Sequence, residues 1–443
     1  MAQYPAEING FSLKKEERLK ALEEWEKQHN YPVNPENAEI NNHIHTIYSF
    51  SPYTPSMAAL MARDSGLGAA GSVDHDSIAA AREMVTACSI LGIGGCVGVE
   101  LRVSFKAGPL ASKKFNNPDS AGIAYMTIQG IPKQSIPKVA EFLEPLRAER
   151  LKRSRAMTVS ANVFLREAGL DEIDFDADIT AKSKYAEGGG VTDRHLLAAM
   201  AEKFISKYGK GPDLAEGLRA KMGITVPPKI AAYLSDPNNP HYLYDLLGII
   251  KAEFLPRIFI QPDEKECIPV ETVVSFAESV TAIPAYPYLG DIGESPTGDK
   301  KAEKFEDAYI EELFKEISRL GFRAVAYMPP RNTIIQLLNL RRLSAKWGFM
   351  EISGVDINSS RQSFNCPEVL KKEFRHLLDT TWALIAHERL ASVDARYGLF
   401  SKTNPLASLD LNKRLSLYAG LGKKLDLHHP DESAAELAAQ IGK

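Results

Sequence analysis

The feature that most constrains this chain is a repeated alternation of short apolar segments with helix-patterned ones. The apolar segments fall at roughly 40–46, 69–74, 95–104, 123–128, 281–286, 322–328 and 348–355. Between several of them lie runs with apolar residues at helical spacing: SMAALMARDSG, SIAAAREMVTACSILG, ETVVSFAESV, FEDAYIEELFKEISRLG and TIIQLLNLRRLSAKWG. Strand followed by helix, repeated, predicts an α/β architecture. A parallel sheet is then covered by its crossover helices and is either open or closed into a barrel.

The alternation breaks between about 134 and 270, where helical patterns dominate and the glycine run Gly188 to Gly190 interrupts them. That stretch reads as a helical insertion. The expected division is an N-terminal helical extension over 1–37, a sheet or barrel from 38–133 and 271–365, the insertion at 134–270, and a helical C-terminal region at 366–443. Ser12 is placed to cap the first helix, about 13–29, and PVNPEN, 32–37, to turn the chain toward the first strand.

Composition narrows the function classes. The formal net charge of -4 over 443 residues lacks the basic excess of a non-specific nucleic-acid binder. The four cysteines, Cys88, Cys96, Cys267 and Cys366, form no CxxC pair, which suits a reducing compartment and gives neither a disulfide framework nor a zinc ribbon. The N-terminus has no apolar core of signal-peptide type, and no run of about 18 apolar residues occurs. A cytoplasmic protein without a membrane partner is expected, with the oligomeric state left open.

The chemistry gathers where strands end. His43 and His45, in HIHTIYSFS, stand two apart, so in a strand both imidazoles face one side. AAGSVDHDS ends an apolar segment in Asp74, His75 and Asp76, with Ser77 at the expected start of a helix. These three ionisable groups are candidate catalytic residues. Glu100 lies inside the apolar GGCVGVELRVSF, where a buried carboxylate needs a cation or strong donors beside it. Arg102, on the same face, is one candidate partner. GFMEISGVDINSSRQSF ends a segment in Asp356, with Asn358 and Arg361 beyond. Ligands in α/β folds collect at the C-terminal ends of strands. Two histidines and two carboxylates there make a donor set for zinc, manganese or iron with positions left open. The remaining histidines, His29, His241, His376, His387, His428 and His429, have no partner at ligand spacing.

In this order, HIHTIYSFS, SVDHDS, GVE, DRHLLAAM (Arg194 and His195) and GVDIN resemble the motifs of the PHP (polymerase and histidinol phosphatase) superfamily of metal-dependent phosphoesterases, over about residues 38 to 365. The resemblance implies a distorted seven-stranded βα barrel holding one to three divalent metals at its strand ends. It implies that His43, His45, Glu100 and Asp356 hold a first ion, that Glu100 bridges to a second also bound by His195, and that His75 helps hold a third.

Four departures thin that set. Phe50 stands where the family has an acid, Ala285-Tyr286-Pro287 replaces its Ala-His-Pro, and Asn358 replaces its last histidine. No histidine lies between His75 and His195, where Tyr125 or Thr127 falls. One or two ions are therefore expected, with His75 left without metal partners and free to act as general acid or base. Arg194, Arg331 and Arg361 are candidates to stabilise phosphate charge, and Tyr286 and Asn358 to line the site. The function expected is metal-dependent hydrolysis of a small or nucleotide-like phosphate ester by a metal-activated water. The alternatives are a hydrolase of the same fold acting on an amide or cyclic ester, and a non-catalytic binding module.

Overall fold

The computed structural model describes residues 4–29, 38–117, 119–291 and 306–441. Seven strands form one sheet in chain order: β1 (Glu39–Ile44), β2 (Leu67–His75), β3 (Gly94–Ser104), β4 (Ile123–Gln129), β5 (Ile283–Tyr288), β6 (Ala324–Tyr327) and β7 (Met350–Ser353). The sheet curls until its ends meet. His45 N donates to Ile357 O (2.9 Å) and Ile357 N to His43 O (3.1 Å), so the segment after β7 lies beside β1 and nearly closes a barrel. The side-chain amide of Asn41 reinforces the seam through bonds to Val355 N and O, both 3.0 Å.

The sheet is mixed, not all parallel. β4 runs antiparallel to both β3 and β5, while the other neighbours are parallel. The connection from Phe105 to Gly122 has no helix among its described residues to carry the chain back across the sheet, and the strand that follows runs in reverse.

Helices α1 (Lys15–Gln28), α2 (Pro55–Asp64) and α3 (Ala81–Ile90) pack on the β1–β2 side, around a core that includes Leu22, Leu60, Met84 and Cys88. The first helix is not capped by Ser12. Lys14 holds the N-cap position, and its N–H is met by the Glu17 carboxylate at 2.8 Å. PVNPEN lies outside the described residues. Ser77 does not start a helix either: α3 begins at Ala81, and the Ser77 hydroxyl donates to Gly188 O (2.7 Å).

Between β4 and β5 come α4 (Ile136–Glu167), α5 (Asp193–Tyr208), α6 (Pro212–Met222), α7 (Pro228–Ser235), α8 (Tyr242–Ile258) and α9 (Val270–Ser279). From Met157 to Ile258 these elements share their own apolar core, centred on Leu165, Leu197, Phe204 and Phe254. The barrel is covered by α9, α10 (Ile310–Leu320), α11 (Ile334–Trp347) and α12 (His376–Val393), followed by α13 (Leu411–Gly422) and α14 (Pro430–Ile441). Along α12 the residues from Leu377 to Ala391 are buried apart from Asp379, so the helix runs through the core and buries His387, Glu388 and Arg389 with its apolar residues. Among the described residues no helix is long and apolar enough to cross a membrane. All four cysteines are buried and unpaired.

Candidate metal centre

Strand register brings the candidate ligands to one point. Glu100 in β3 lies opposite His75 in β2 and Thr127 in β4. The barrel seam places His43 and His45 beside Asp356. His43 Nε2 and His45 Nε2 each lie 3.8 Å from a Glu100 oxygen, His45 Nε2 is 3.2 Å from Asp356 Oδ1, and His75 Nδ1 is 3.0 Å from Glu100 Oε2. One ligand atom each from His43, His45 and Glu100 falls within 4.8 Å of the others. Ligands about 2.0–2.2 Å from a shared ion stand at most about 4.4 Å apart, so a small inward adjustment would let the three coordinate one ion.

The hydrogen bonding fits a cation. His45 Nε2 and His75 Nδ1 are buried, yet neither makes a hydrogen bond to any described residue, although each faces a carboxylate. Buried nitrogens are seldom left so. The His45 ring is held from its other side: Nδ1 lies 3.2 Å from Ser49 Oγ, and that hydroxyl donates to Asp74 Oδ1 at 2.5 Å. A ligating imidazole is commonly oriented through its second nitrogen in this way.

The charges respond to one another. Burial alone would raise the Glu100 carboxyl, but the imidazoles of His75 and His43 hold it well below the usual range. Asp356 is likewise pulled far down by His45 against the effect of burial. For His43, burial acts downward, and Glu100 with Asp356 and Asp74 outweighs it, so its pKa is raised. Burial and the neighbouring His45 lower the pKa of His75, with Glu100 acting against them.

The site opens into a cavity of about 170 Å³. His43, His75, Glu100 and Asp356 line it, and so do two cations supplied between β4 and β5, Arg194 of α5 and Lys251 of α8. Arg194 Nη1 is anchored on Asn358 O at 3.0 Å, and Asn358 donates its amide to Asp356 Oδ1 at 2.6 Å. Lys251 and Tyr288 are lining residues that sequence reasoning missed. A lone lysine in the apolar run LLGIIKAEF was a usable signal for the first.

Several sequence-derived candidates stand elsewhere. Asp74 accepts bonds from Thr46 N (2.7 Å), Thr46 Oγ1 (2.6 Å) and Ser49 Oγ, which makes it a brace for the loop after β1. Asp76 is paired with Arg150, and neither aspartate lines the cavity. Arg361 binds Asp245 (Nη2 to Oδ2, 2.7 Å) and lies 3.8 Å over the Tyr233 ring. The Tyr286 hydroxyl donates to Glu306, while the neighbouring residues Pro287 and Tyr288 line the cavity. Arg331, on the loop after β6, is outside the lining. Arg102 is not the partner of Glu100: it pairs with Glu266, which also takes Arg153 at 2.7 Å.

His195 shows why residue type is not role. Its Nδ1 accepts the Thr192 N–H at 3.0 Å, which leaves the ring proton on Nε2 and no lone pair for an ion. Burial and Arg150 lower its pKa to about 3, so the ring is neutral. Phe50 packs edge-on to it, ring centroids 5.0 Å apart, from a left-handed backbone at φ 74°. A non-glycine residue held there is strained, a condition that concentrates at functional sites.

No protein-family model matches the chain, and no curated protein matches its sequence. Solved structures match the chain, two of them as follows. One, from Bifidobacterium adolescentis and described as a candidate metal-dependent phosphoesterase, aligns with a TM-score of 0.50 at 16% identity, over 76% of this chain and 95% of that one. The other, an amidohydrolase from Chromobacterium violaceum, aligns with a TM-score of 0.48 at 16% identity, over 77% and 96%. The nearly closed barrel of seven strands in chain order, with the His43–His45–Glu100 cluster inside it, has the PHP-type fold.

Proposed function

We propose that the chain is a metal-dependent hydrolase acting on the phosphate ester of a small molecule. The observation that carries this is the buried cluster of His43, His45 and Glu100, with Asp356 beside it, in a cavity also lined by two cations. His43, His45, Glu100 and Asp356 would hold one divalent ion of zinc, manganese or iron, whose chemistry when bound is to acidify a water and polarise a phosphoryl oxygen.

The chain's own groups do the rest. Arg194 and Lys251 give the cavity the positive charge that a phosphate ester needs, and Arg194 is pre-set by its bond to Asn358 O. His75 lines the cavity and faces Glu100, and burial with His45 lowers its pKa, so its imidazole would accept a proton as the ester bond is attacked. Asp74, through Ser49, keeps His45 in its ligating orientation. The description of the Bifidobacterium structure agrees with a phosphoester as substrate.

The test is hydrolysis of phenyl phosphate by protein stripped with chelator and reloaded with Mn or Zn, alongside His45→Ala. Activity should return with metal in the wild type and stay at least 100-fold lower in the variant. Equal rates in the two proteins would remove the proposal.

A further inference from the structure

Four carboxamide side chains line the cavity: Asn42, Asn116, Gln129 and Asn358. Three are committed to the protein. Asn42 Nδ2 donates to Ser353 O and Thr381 Oγ1, both at 2.8 Å, and Asn116 Nδ2 donates to Tyr125 O (3.0 Å) and Pro287 O (2.6 Å). Asn358 donates to Asp356. Gln129 differs. It is 1% exposed, and neither its Nε2 nor its Oε1 makes a hydrogen bond to any described residue.

A buried amide with both ends unmet costs stability, and such groups are retained where a ligand completes them. The surroundings of Gln129 keep it available. It ends β4, opposite Gly98 of β3 and Ile283 of β5, two positions along the ladder from the level of Glu100. A Cβ at Gly98 would stand 2.6 Å from Ile128 O and 2.9 Å from Gln129 Oε1, so only glycine leaves the amide its space. The lining of the cavity thus presents an adjacent donor and acceptor in a fixed frame, separate from the charged groups around Glu100.

We infer that Gln129 is a specificity-determining residue that reads a matching acceptor and donor, the edge of a carboxamide, lactam or imide, on the part of the substrate away from the phosphate. A lone carboxylate or hydroxyl would meet the amide less completely, whereas a carboxamide-type edge satisfies both atoms at once. The phosphate end of this inference rests on the function proposed above, and the unpaired state of Gln129 does not.

The test has two arms, using Gln129→Met, a near-isosteric change. In metal-free protein the variant should melt about 2 °C higher than the wild type, because an unpaired buried amide has been replaced by an apolar group. A lower melting temperature would show that Gln129 is already satisfied inside the protein and would overturn the inference.

In Mn-loaded protein, kcat/KM is compared for phenyl phosphate and for 3- and 4-carbamoylphenyl phosphate. The wild type should favour a carbamoyl ester by tenfold or more, and Gln129→Met should bring that ratio below about threefold. A wild-type ratio near one, or a ratio that survives the substitution, overturns the inference. Hydrolysis of no ester by the wild type overturns the proposed function instead, and the melting arm then decides the state of Gln129 alone.

Discussion

Gly354→Ala should damage the metal centre without touching a ligand. Gly354 lies at the barrel seam, and its φ lies outside the left-handed region, so the effect is one of space alone. An added Cβ would stand 2.6 Å from His43 Cβ, 2.7 Å from His43 N and 3.1 Å from the Asn42 carbonyl carbon, where ordinary contact begins at 3.4 Å. The strands must therefore part by about 1 Å. They are not free to do so, since Asn42 Nδ2 holds Ser353 O at 2.8 Å and Asn41 holds Val355 at both N and O. Overpacking of this kind costs about 1–3 kcal/mol, which for a chain of this size lowers the melting temperature by about 1–3 °C. Because His43 itself is displaced, Mn or Zn should bind at least tenfold more weakly. Calorimetric melting and titration of chelator-stripped protein measure both effects. Gly248→Ala, where nothing lies within 4 Å of the new Cβ in the middle of α8, is the control and should melt at or slightly above the wild type. If Gly354→Ala binds metal and melts as the wild type does, the seam geometry argued here is wrong.

Two further outcomes are expected. Arg194→Ala should raise KM for a phosphate monoester about tenfold, with a smaller change in kcat, because a fixed cation leaves the cavity while the His43–His45–Glu100 cluster stays in place; an unchanged KM would contradict this. Glu388, buried in α12 and accepting from Val97 N at 2.7 Å, has its pKa raised to about 7 by burial, with Arg389 opposing. The folded state thus holds this proton more tightly than the unfolded one, so its contribution to stability is full below about pH 4.5 and is lost as pH rises through 7. Glu388→Gln keeps the acceptor and should flatten that part of the pH–stability curve; an unaltered slope would refute the assignment.

The strands were legible because each is a short apolar run bounded by turn residues, and periodicity is a local property. Strand direction was not, since the reversal at β4 accompanies a Phe105–Gly122 connection without a helix among its described residues. At the site, His43, His45, Glu100 and Asp356 could be singled out because ionisable groups at strand ends stand out against apolar surroundings. The candidates that lie outside the cavity lining share a different origin. Arg361 meets Asp245, 116 residues away, and Arg102 meets Glu266, 164 residues away, so no local pattern tells which carboxylate a guanidinium will find. His195 is a subtler case: its position was readable, but the use of its Nδ1 by the Thr192 N–H is a matter of ring orientation.

The charges around the cavity bear on how many ions it holds. Among the described acids around the site, Asp74, Asp76, Glu100, Asp193, Glu266 and Asp356 are buried or half-buried. Four are answered within the protein. Asp74 takes three hydrogen bonds from Thr46 and Ser49, Asp76 faces Arg150, Asp193 faces Arg153 at 3.2 Å, and Glu266 takes both Arg102 and Arg153. Only Glu100 and Asp356 are left facing imidazoles, and two carboxylates match the charge of one divalent cation. A second ion on the His75 side would find one shared Glu100 oxygen, a neutral His195 whose Nε2 carries a proton, and the Arg150 guanidinium, which pushes down the pKa of both imidazoles. Repulsion in so buried a site outweighs what a single imidazole can return. Saturation at one Mn or Zn per chain is therefore expected by elemental analysis after equilibrium dialysis, with the count unchanged in His195→Ala and lost in His45→Ala. Two ions per wild-type chain at saturation would mean that Arg150 does not occupy the electrostatic place given to it here.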